Sequence, residues 1–375
     1  MKRIVTIVGT RPEAIKMAPV HLALNRHPNV DARLLATAQH RQMLDQVMSV
    51  FQITADVDLD LMKENQTLVD LTTRTLAGVQ SILSEMKPDA VLVHGDTTTC
   101  LASALAAFYT GIPIGHVEAG LRTYNFHAPW PEEMNRRLVD PISRWCFAPT
   151  EKAAENLRFE RIPEENIFVT GNTVVDALLM ARDRVRQCPP EVPGLDIGLL
   201  EGRRLVLVTG HRRESFGRPF EVFCHALRDL IRSRDDLILV YPVHLNPNVQ
   251  KPVHSILGPE NRIYLIEPLE YLPFVYLMDR SSLIITDSGG IQEEAPSLGK
   301  PVIVTRETTE RPEAVDAGMA KLVGMHHDAI VNESLEFLES SEAFLKKVDM
   351  GNPYGSGHAA EQIADIVACT LVANT

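Results

Sequence analysis

Three carboxylates in the first half of the chain stand where a parallel sheet would present them to a ligand. Asp96 follows the apolar run AVLVHG, Glu118 ends the run IGHVE, and Glu132 follows Pro131 at a predicted helix start. Strand ends and helix starts of one sheet gather at the same edge, so these groups could form an acid and base set around a substrate. Carboxylates also cap helices for structural reasons, and the sequence alone leaves that alternative open.

Two strand-to-helix turns suit an anion. The first is VGTRPEAIK, where free backbone N–H groups at the helix start, together with Arg11 and Lys16, could hold a phosphate. A capped helix start with two solvated bases is the structural alternative. His211 ends the first strand of the second half, where it could donate to a phosphate oxygen or protonate a leaving group. Arg311 precedes Pro312 at another predicted helix start.

The second turn is TDSGGIQEEAPSLGKP, which we interpret as a diphosphate-binding site. We expect Ser288 to cap the following helix, while Gly289 and Gly290 let a ligand approach the backbone closely. Glu294 could bind a sugar or ribose hydroxyl, and Glu293 could be a structural residue of the first helical turn. A capping role remains the alternative for both.

Several common sites are disfavoured by the spacing of the motifs. Neither turn matches GxGxxG or GxxxxGK[ST], which argues against a dinucleotide or Walker-type site. The histidines lack a metal-ligand spacing such as HxxxH, so we expect no metal. The five cysteines form no CxxC pair, and no GxSxG turn is present, which disfavours redox and serine-hydrolase chemistry.

The elements that must position these residues follow a strand–helix rhythm that runs twice along the chain. Runs such as IVTIV and LVLVTG are continuously apolar, which is typical of strands covered by helices on both faces. The sequence therefore predicts an α/β fold of two Rossmann-like domains with a ligand cleft between them. We place the domains at residues 1–172 and 173–357, with the boundary within residues 172–190, and we interpret the Pro- and Gly-rich segment 186–204 as the linker or the irregular entry to the second domain. Residues 358–375 read as a final helix that could pack on either domain.

Composition limits the class of protein and its partners. The 375 residues are 45% hydrophobic and 23% charged, which is ordinary for a globular protein and argues against disorder. The net charge of −12 would repel a polyanion, so we expect no nucleic-acid partner. No apolar stretch of membrane-spanning length is present, so we expect a cytoplasmic protein with no membrane partner. We expect a homodimer, although no pattern in the sequence sets the oligomeric state.

The motifs together resemble one family, the bacterial non-hydrolysing UDP-N-acetylglucosamine 2-epimerases. The strings that carry the resemblance extend from about residue 4 past the final GNPYG, in the expected order. They are GTRPEAIKMAP, QHR, HGDTTT, HVEAGLRT, PWPEE, NR, TGN, GHRRES, YPVHLNPNV, EYLPF, DSGGIQEEAPSLGKP and TTERPEA.

The resemblance implies both a fold and a reaction. The fold would be similar to glycosyltransferase type B, with the C-terminal helix 358–375 returning to the first domain. The reaction would interconvert UDP-N-acetylglucosamine and UDP-N-acetylmannosamine, a step that supplies polysaccharide biosynthesis, with no metal and no other cofactor. A second UDP-N-acetylglucosamine would bind as an allosteric activator.

The resemblance also implies roles for individual residues at the matching positions. The catalytic set would be Asp96, Glu118, Glu132 and His211. The substrate contacts would be Arg11, Lys16, His211, Phe274, Ser288, Gly289, Gly290, Glu294 and Arg311. The allosteric candidates would be Gln42, Gln46, Arg74 and His244.

Three other functions remain as alternatives at this stage. A hydrolysing relative would share the elimination step but release the free sugar. A glycosyltransferase could use the same scaffold, since a fold does not fix a function. A nucleotide-sugar binding module would need no catalytic carboxylates.

Overall fold

The computed structural model of the chain describes residues 1–37, 41–61, 66–210, 216–309, 311–340, 344 and 352–373. The side chains of residues 41–43 and 373 lie outside the description as well. The chain divides into two compact units. Unit 1 comprises Met1–Ala177 and Tyr354–Thr375, and unit 2 comprises Leu178–Pro353.

Unit 1 is built on a parallel sheet in the strand order β3-β2-β1-β4-β5-β6-β7. Its strands are β1 (Lys2–Val8), β2 (Val30–Ala36), β3 (Val57–Asp58), β4 (Ala90–His94), β5 (Ile114–Val117), β6 (Trp145–Ala148) and β7 (Ile167–Val169). Its helices are α1 (Arg11–Arg26), α2 (Arg41–Phe51), α3 (Leu68–Met86), α4 (Thr98–Tyr109), α5 (Glu132–Val139), α6 (Glu151–Phe159) and the C-terminal helix Ala359–Ala373. Helix α7 (Thr173–Gln187) begins in unit 1 and ends in unit 2.

Unit 2 repeats the arrangement with the strand order β10-β9-β8-β11-β12-β13. Its strands are β8 (Arg204–Thr209), β9 (Leu237–Pro242), β10 (Ile263–Ile266), β11 (Ser281–Thr286), β12 (Val302–Val304) and β13 (Ala320–Leu322). Its helices are α8 (Arg218–Ser233), α9 (Pro247–Leu257), α10 (Tyr271–Arg280), α11 (Gly289–Ser297), α12 (Pro312–Asp316) and α13 (His327–Glu339).

The predicted α/β class with two Rossmann-like sheets is confirmed. In each sheet the strand order reverses beside the first strand of the unit, between β1 and β4 and between β8 and β11. Open α/β sheets bind ligands outside the carboxyl ends of the strands at such a reversal, because the two flanking crossovers leave a crevice there. Ligand-binding residues are therefore expected directly after β1, β4, β8 and β11.

The buried residues explain why the strands are continuous apolar runs. The central strand β4 is buried at all five positions, as expected for a strand covered by helices on both faces. Helix α8 places apolar side chains such as Phe220, Phe223 and Leu227 against β8 and β9 in the core of unit 2. Burial of each large apolar side chain stabilises the unit by about 1.5–3 kcal/mol.

Two local expectations need correction. The sequence reading missed the strands β3, β6, β7 and β13, which contain only two to four residues and lie at or near the sheet edges. Ser288 is the residue before α11, as predicted, but its side chain makes no capping hydrogen bond. Instead its backbone N–H donates to Thr286 Oγ1 at 2.9 Å.

Candidate functional site

The carboxyl ends of β1 and β4 in unit 1 are held together by one buried glutamate, Glu13. Its carboxylate accepts hydrogen bonds from the N–H groups of Gly9 at 2.9 Å and Thr10 at 2.6 Å, and from the hydroxyl of Thr97 at the start of α4. A Cβ on Gly9 would stand 2.5 Å from the hydroxyl oxygens of both Thr37 and Thr99, so only glycine allows this close packing.

Glu118 follows β5 beside this junction, and the structure surrounds its carboxylate with nitrogen donors. Lys16 of α1 pairs with Oε2, and Asn172 Nδ2 donates to the same oxygen at 3.1 Å. The His94 ring lies close by, with Nε2 at 3.7 Å from Oε2. The backbone of Glu118 has φ of +67°, an uncommon value for a non-glycine residue that fixes the direction of the side chain.

The charge state of Glu118 follows from these neighbours. Burial raises its pKa, since the side chain is only 9% exposed, but the Lys16 charge and the adjacent His94 outweigh that effect. The net result is a pKa well below the ordinary value, so Glu118 is ionised at neutral pH.

Asp96 lies after β4 and is fixed by helix α5. Its carboxylate pairs with Arg136, and its backbone carbonyl accepts a hydrogen bond from Asn135 Nδ2 at 2.8 Å. The side chain is 26% exposed, so it can be reached from solvent. The N-cap of α4 is Thr97, which frees the Asp96 carboxylate from the structural role considered for it.

Glu132 is the first residue of α5 and is partly exposed. Positions three and four residues apart lie on one face of a helix, so Glu132 shares the face that carries Asn135 and Arg136 toward Asp96. Within the described part of the chain Glu132 makes no hydrogen bond or ion pair. The neighbouring Glu133 is structural, because it is buried and accepts the N–H groups of Thr123 and Tyr124.

A fully buried network lies behind these residues. His116 of β5 places Nε2 at 2.7 Å from the Gly95 carbonyl and Nδ1 at 2.6 Å from Asp140 Oδ1. Arg122 donates to Asp140 Oδ2 at 2.6 Å and also pairs with Glu160. Burial raises the pKa of Asp140, but His116 and Arg122 outweigh it and hold the pKa below the usual value.

In unit 2 the glycine turn after β11 adjoins Arg311. The Arg311 Nε donates to Glu293 Oε1 at 2.6 Å, and a Cβ on Gly289 would approach Arg311 Nη1 to 3.1 Å. A Cβ on Gly290 would meet no atom of the described residues within 4 Å. The turn therefore presents backbone and one guanidinium at a helix start, which suits an anion. Glu293 is mostly buried and orients Arg311, which is the structural role that the sequence left open.

Other predicted substrate contacts are placed as follows. Arg11 is the first residue of α1 and is partly exposed, with no ion pair to any described residue. Phe274 lies in the first turn of α10 and Glu294 in α11, both partly buried. His211 lies outside the described residues.

The four allosteric candidates belong to different elements. Gln42 and Gln46 are in α2; the side chain of Gln42 lies outside the description, and Gln46 is exposed. Arg74 of α3 bonds Gln66 and the Asp70 carbonyl. His244 is an exposed residue of unit 2 whose Nδ1 accepts the Asn246 N–H at 3.1 Å.

Sequence reasoning did not single out the groups that hold the predicted carboxylates in place. Asn172 and Arg136 occur in the strings TGN and NR, but the sequence does not link them to Glu118 and Asp96, which lie 54 and 40 residues away along the chain. The sequence indicates no role for His94, because its spacing from the other histidines fits no metal site. Among the described residues no group of His, Cys, Asp and Glu is arranged to hold a metal ion, and none of the described helices is both long and apolar enough to cross a membrane.

Comparison with known proteins gives a consistent result across most of the chain. The family model described as UDP-N-acetylglucosamine 2-epimerase matches residues 22–368. The UDP-N-acetylglucosamine 2-epimerase of Escherichia coli K12 is 52% identical over 370 residues, covering 97% of each chain.

Two solved structures extend the comparison to three dimensions. The Neisseria meningitidis UDP-GlcNAc 2-epimerase bound to UDP-GlcNAc is 48% identical with a TM-score of 0.84, covering 97% of this chain and 99% of that one. The Methanocaldococcus jannaschii UDP-GlcNAc 2-epimerase in complex with UDP-GlcNAc and UDP is 34% identical with a TM-score of 0.76, with coverages of 97% and 99%.

Proposed function

Because this chain belongs to the UDP-N-acetylglucosamine 2-epimerase family, we propose that it interconverts UDP-N-acetylglucosamine and UDP-N-acetylmannosamine without hydrolysis. The route is elimination of UDP to give enzyme-bound 2-acetamidoglucal, followed by re-addition of UDP with a proton returned to the opposite face of C2. No bond to water forms, so the substrate and the product are isomers.

The chemistry requires the leaving group to depart early. The C2 proton is not next to a carbonyl, so a carboxylate with a pKa near 4 cannot remove it directly at a useful rate. When the bond from C1 to the UDP oxygen breaks, positive charge develops at C1 and makes the C2 proton far more acidic. The diphosphate leaves with the electron pair of the bond from C1 to oxygen. The electron pair of the C2–H bond then forms the C1–C2 double bond of the glycal.

This proposal depends on one observation, the state of the Glu118 carboxylate in the HVE segment. That carboxylate is ionised and held by its neighbours, and Asp96 of the HGD segment follows the adjacent strand. A base must be ionised to accept the C2 proton, and Glu118 is held in that state by Lys16. Donors gather on Oε2, while within the described residues no hydrogen bond reaches Oε1. We therefore assign Oε1 as the atom that faces the sugar.

The second acid or base group returns the proton to the opposite face of C2. Asp96 and Glu132 are the candidates, since both are associated with α5 and neither side chain is fully buried. The Asp96 carboxylate is held by Arg136, whereas Glu132 makes no ion pair with any described residue. We assign Glu132 as the group that returns the proton, because no described neighbour holds its carboxylate away from the sugar.

The departing diphosphate needs hydrogen-bond donors that are already oriented. In unit 2 we assign this role to the backbone N–H groups at the start of α11 and to Arg311, which Glu293 holds in place. In unit 1 we assign it to Arg11 and Lys16 on the first turns of α1. The proposed His211 contact lies outside the described residues.

The proposal is tested by following C2 in heavy water. The purified protein is incubated with UDP-N-acetylglucosamine in deuterium oxide, and both nucleotide sugars are analysed by NMR and mass spectrometry. We expect deuterium at C2 of both epimers, because the removed proton exchanges with solvent. Retention of the original hydrogen contradicts elimination, and free N-acetylmannosamine as the main product would instead support the hydrolysing reaction.

A further inference from the structure

The buried ring of His94 has no hydrogen-bond partner among the described residues. It is the last residue of β4 and only 4% exposed, and neither Nδ1 nor Nε2 is bonded within the described chain. The other buried histidines of the same unit differ: both nitrogens of His116 have partners, and Nδ1 of His21 lies 3.1 Å from the Thr6 hydroxyl. A buried polar group without a partner is costly, so this ring calls for an explanation.

The geometry identifies the atom that the ring could bond. Nε2 stands 3.7 Å from Glu118 Oε2, which is too far for a hydrogen bond and too close for an intervening water. A side-chain shift of less than about 1 Å would bring the pair to normal hydrogen-bond distance. The backbone of Glu118 is fixed by its left-handed conformation, so the adjustment falls on the side chains.

Oε2 already has two stronger partners in this structure. Lys16 pairs with it, and Asn172 donates to it at 3.1 Å. Two charged groups act on the His94 ring, Glu13 from α1 and Glu118 from the end of β5, and the charged group paired with that same Glu118 is Lys16. Of these, only Lys16 is a cation, and it is also a residue that we assign to the substrate diphosphate.

These facts point to an exchange of partners during the reaction. A diphosphate carries more negative charge than one carboxylate, so it competes with Glu118 for the Lys16 ammonium. We propose that His94 is a positioning residue for Glu118, donating from Nε2 to Oε2 when the bound diphosphate draws Lys16 away. This inference rests on the proposed function, because it assumes that Glu118 handles the C2 proton.

The exchange has a consequence for acid and base strength. When Lys16 leaves, the pKa of Glu118 rises and the carboxylate becomes a better base. His94 limits that rise and keeps Oε2 anchored, so that Oε1 stays directed at the sugar. Without the Nε2 donor, the pKa of Glu118 in the substrate complex should rise further, by about one pH unit or more.

The test replaces His94 by glutamine and by asparagine, whose side chains carry the same amide group but differ in length by one methylene group. The Gln amide nitrogen of His94→Gln falls near the position of Nε2, whereas the shorter His94→Asn ends near Nδ1 and cannot reach Oε2. Activity is measured in both reaction directions from about pH 4 to pH 9, giving kcat for the substrate complex and kcat/KM for the free enzyme. His21→Asn is the control for loss of a buried histidine in the same unit.

We expect the acidic limb of the kcat profile of His94→Asn to move to higher pH by about one unit, in the direction in which Glu118 is the base. The limb of kcat/KM should move less, because Lys16 still holds Glu118 in the free enzyme. His94→Gln should restore the wild-type limb, and His21→Asn should leave it in place. A uniform loss of kcat with unmoved limbs, or equal shifts in kcat and kcat/KM, overturns the inference.

Two further outcomes are separated by the design. If His94→Asn does not fold, as judged by thermal unfolding, His94→Leu takes its place, since it also lacks a donor. If the wild-type protein shows no epimerisation at any pH, the proposed function has failed. Normal wild-type turnover with unmoved limbs in the variants means that only the role of His94 is wrong.

Discussion

At the residue scale, the structure shows why Glu118 differs from the other carboxylates of unit 1. The sequence places it correctly at the end of a strand, because the run IGHVE is apolar up to that point. Its partners could not be predicted in the same way, since Lys16 and Asn172 are 102 and 54 residues away along the chain. Lys16 lies on the helix after β1 and Asn172 follows β7, so only the parallel pairing from β1 through β4, β5 and β6 to β7 brings both side chains to one carboxylate.

The first prediction concerns this carboxylate. Glu118→Gln keeps the size of the side chain and an oxygen for Lys16 and Asn172, but it removes the basic carboxylate. We expect kcat for epimerisation to fall by about 10²–10⁴-fold, the usual contribution of an acid or base group. UDP affinity, measured by calorimetry, should change by only a few-fold.

The control for Glu118→Gln is Glu151→Gln on α6, whose carboxylate is exposed and pairs with Arg158 at the surface. This variant should match the wild type in rate and in UDP affinity. A Glu118→Gln enzyme that still incorporates deuterium at C2 at the wild-type rate would remove Glu118 from the mechanism.

At the element scale, the long elements could be predicted and the short ones could not. Strands such as β1 and β9 and helices such as α1 and α4 carry enough apolar residues to show their periodicity. By contrast, β3 has two residues and β13 has three, so they form only because a neighbouring strand offers backbone partners. Sheet edges of that kind depend on tertiary contacts rather than on local preference.

The network of His116, Asp140 and Arg122 is another element-scale feature that the sequence did not reveal. It ties the end of β4, through the Gly95 carbonyl, to β5, to the residues after α5 and, through Glu160, to the end of α6. All three side chains are fully buried, so the Arg122 guanidinium, the Asp140 carboxylate and the His116 ring are held out of water together. Removing the central anion leaves two buried donors uncompensated.

We therefore predict that Asp140→Asn destabilises unit 1 by about 3–5 kcal/mol at neutral pH. Because the folded pKa of Asp140 is lowered, its contribution is present above the unfolded value near 4 and is lost as the pH falls through the folded pKa. The difference between wild type and variant should thus be constant above about pH 5 and narrow in acid. Urea unfolding followed by tryptophan fluorescence measures it.

Tryptophan fluorescence reports on unit 1 alone, since the two tryptophans of the chain are Trp130 and Trp145. Asp31→Asn is the matched control, because Asp31 pairs with Arg3 and Arg33 at the surface and should contribute little. If the difference in the free energy of unfolding between the wild type and Asp140→Asn widens as the pH falls, the ionised carboxylate does not hold the network.

At the scale of the whole molecule, chain order and structural unit do not coincide. Tyr354–Thr375 follows unit 2 along the chain but belongs to unit 1. Its anchors are specific: Asn172 N–H donates to the Tyr354 carbonyl at 2.8 Å, Asp176 accepts the Ala360 N–H at 2.8 Å, and Trp145 Nε1 donates to Thr370 at 3.0 Å. The apolar spacing of residues 358–373 predicts a helix with one buried face. It does not predict which unit the helix packs on, because any apolar surface could cover that face.

This arrangement predicts the effect of deleting residues 354–375. The C-terminal helix packs on α1 and buries Ile363, Val367 and Leu371, each worth about 1.5–3 kcal/mol. Their sum is comparable to the whole stability of a typical domain, about 5–15 kcal/mol, so unit 1 should be close to unfolding without them. Hydrogen exchange should show lost protection in α1 and β6, while β8, β9 and β11 of unit 2 keep theirs. Loss of protection centred on unit 2 after the deletion would show that the helix stabilises the unit it follows in sequence, contrary to the contacts described.

A milder variant, Thr370→Val, removes the acceptor of the buried Trp145 N–H and should lower the stability of unit 1 by about 1–3 kcal/mol.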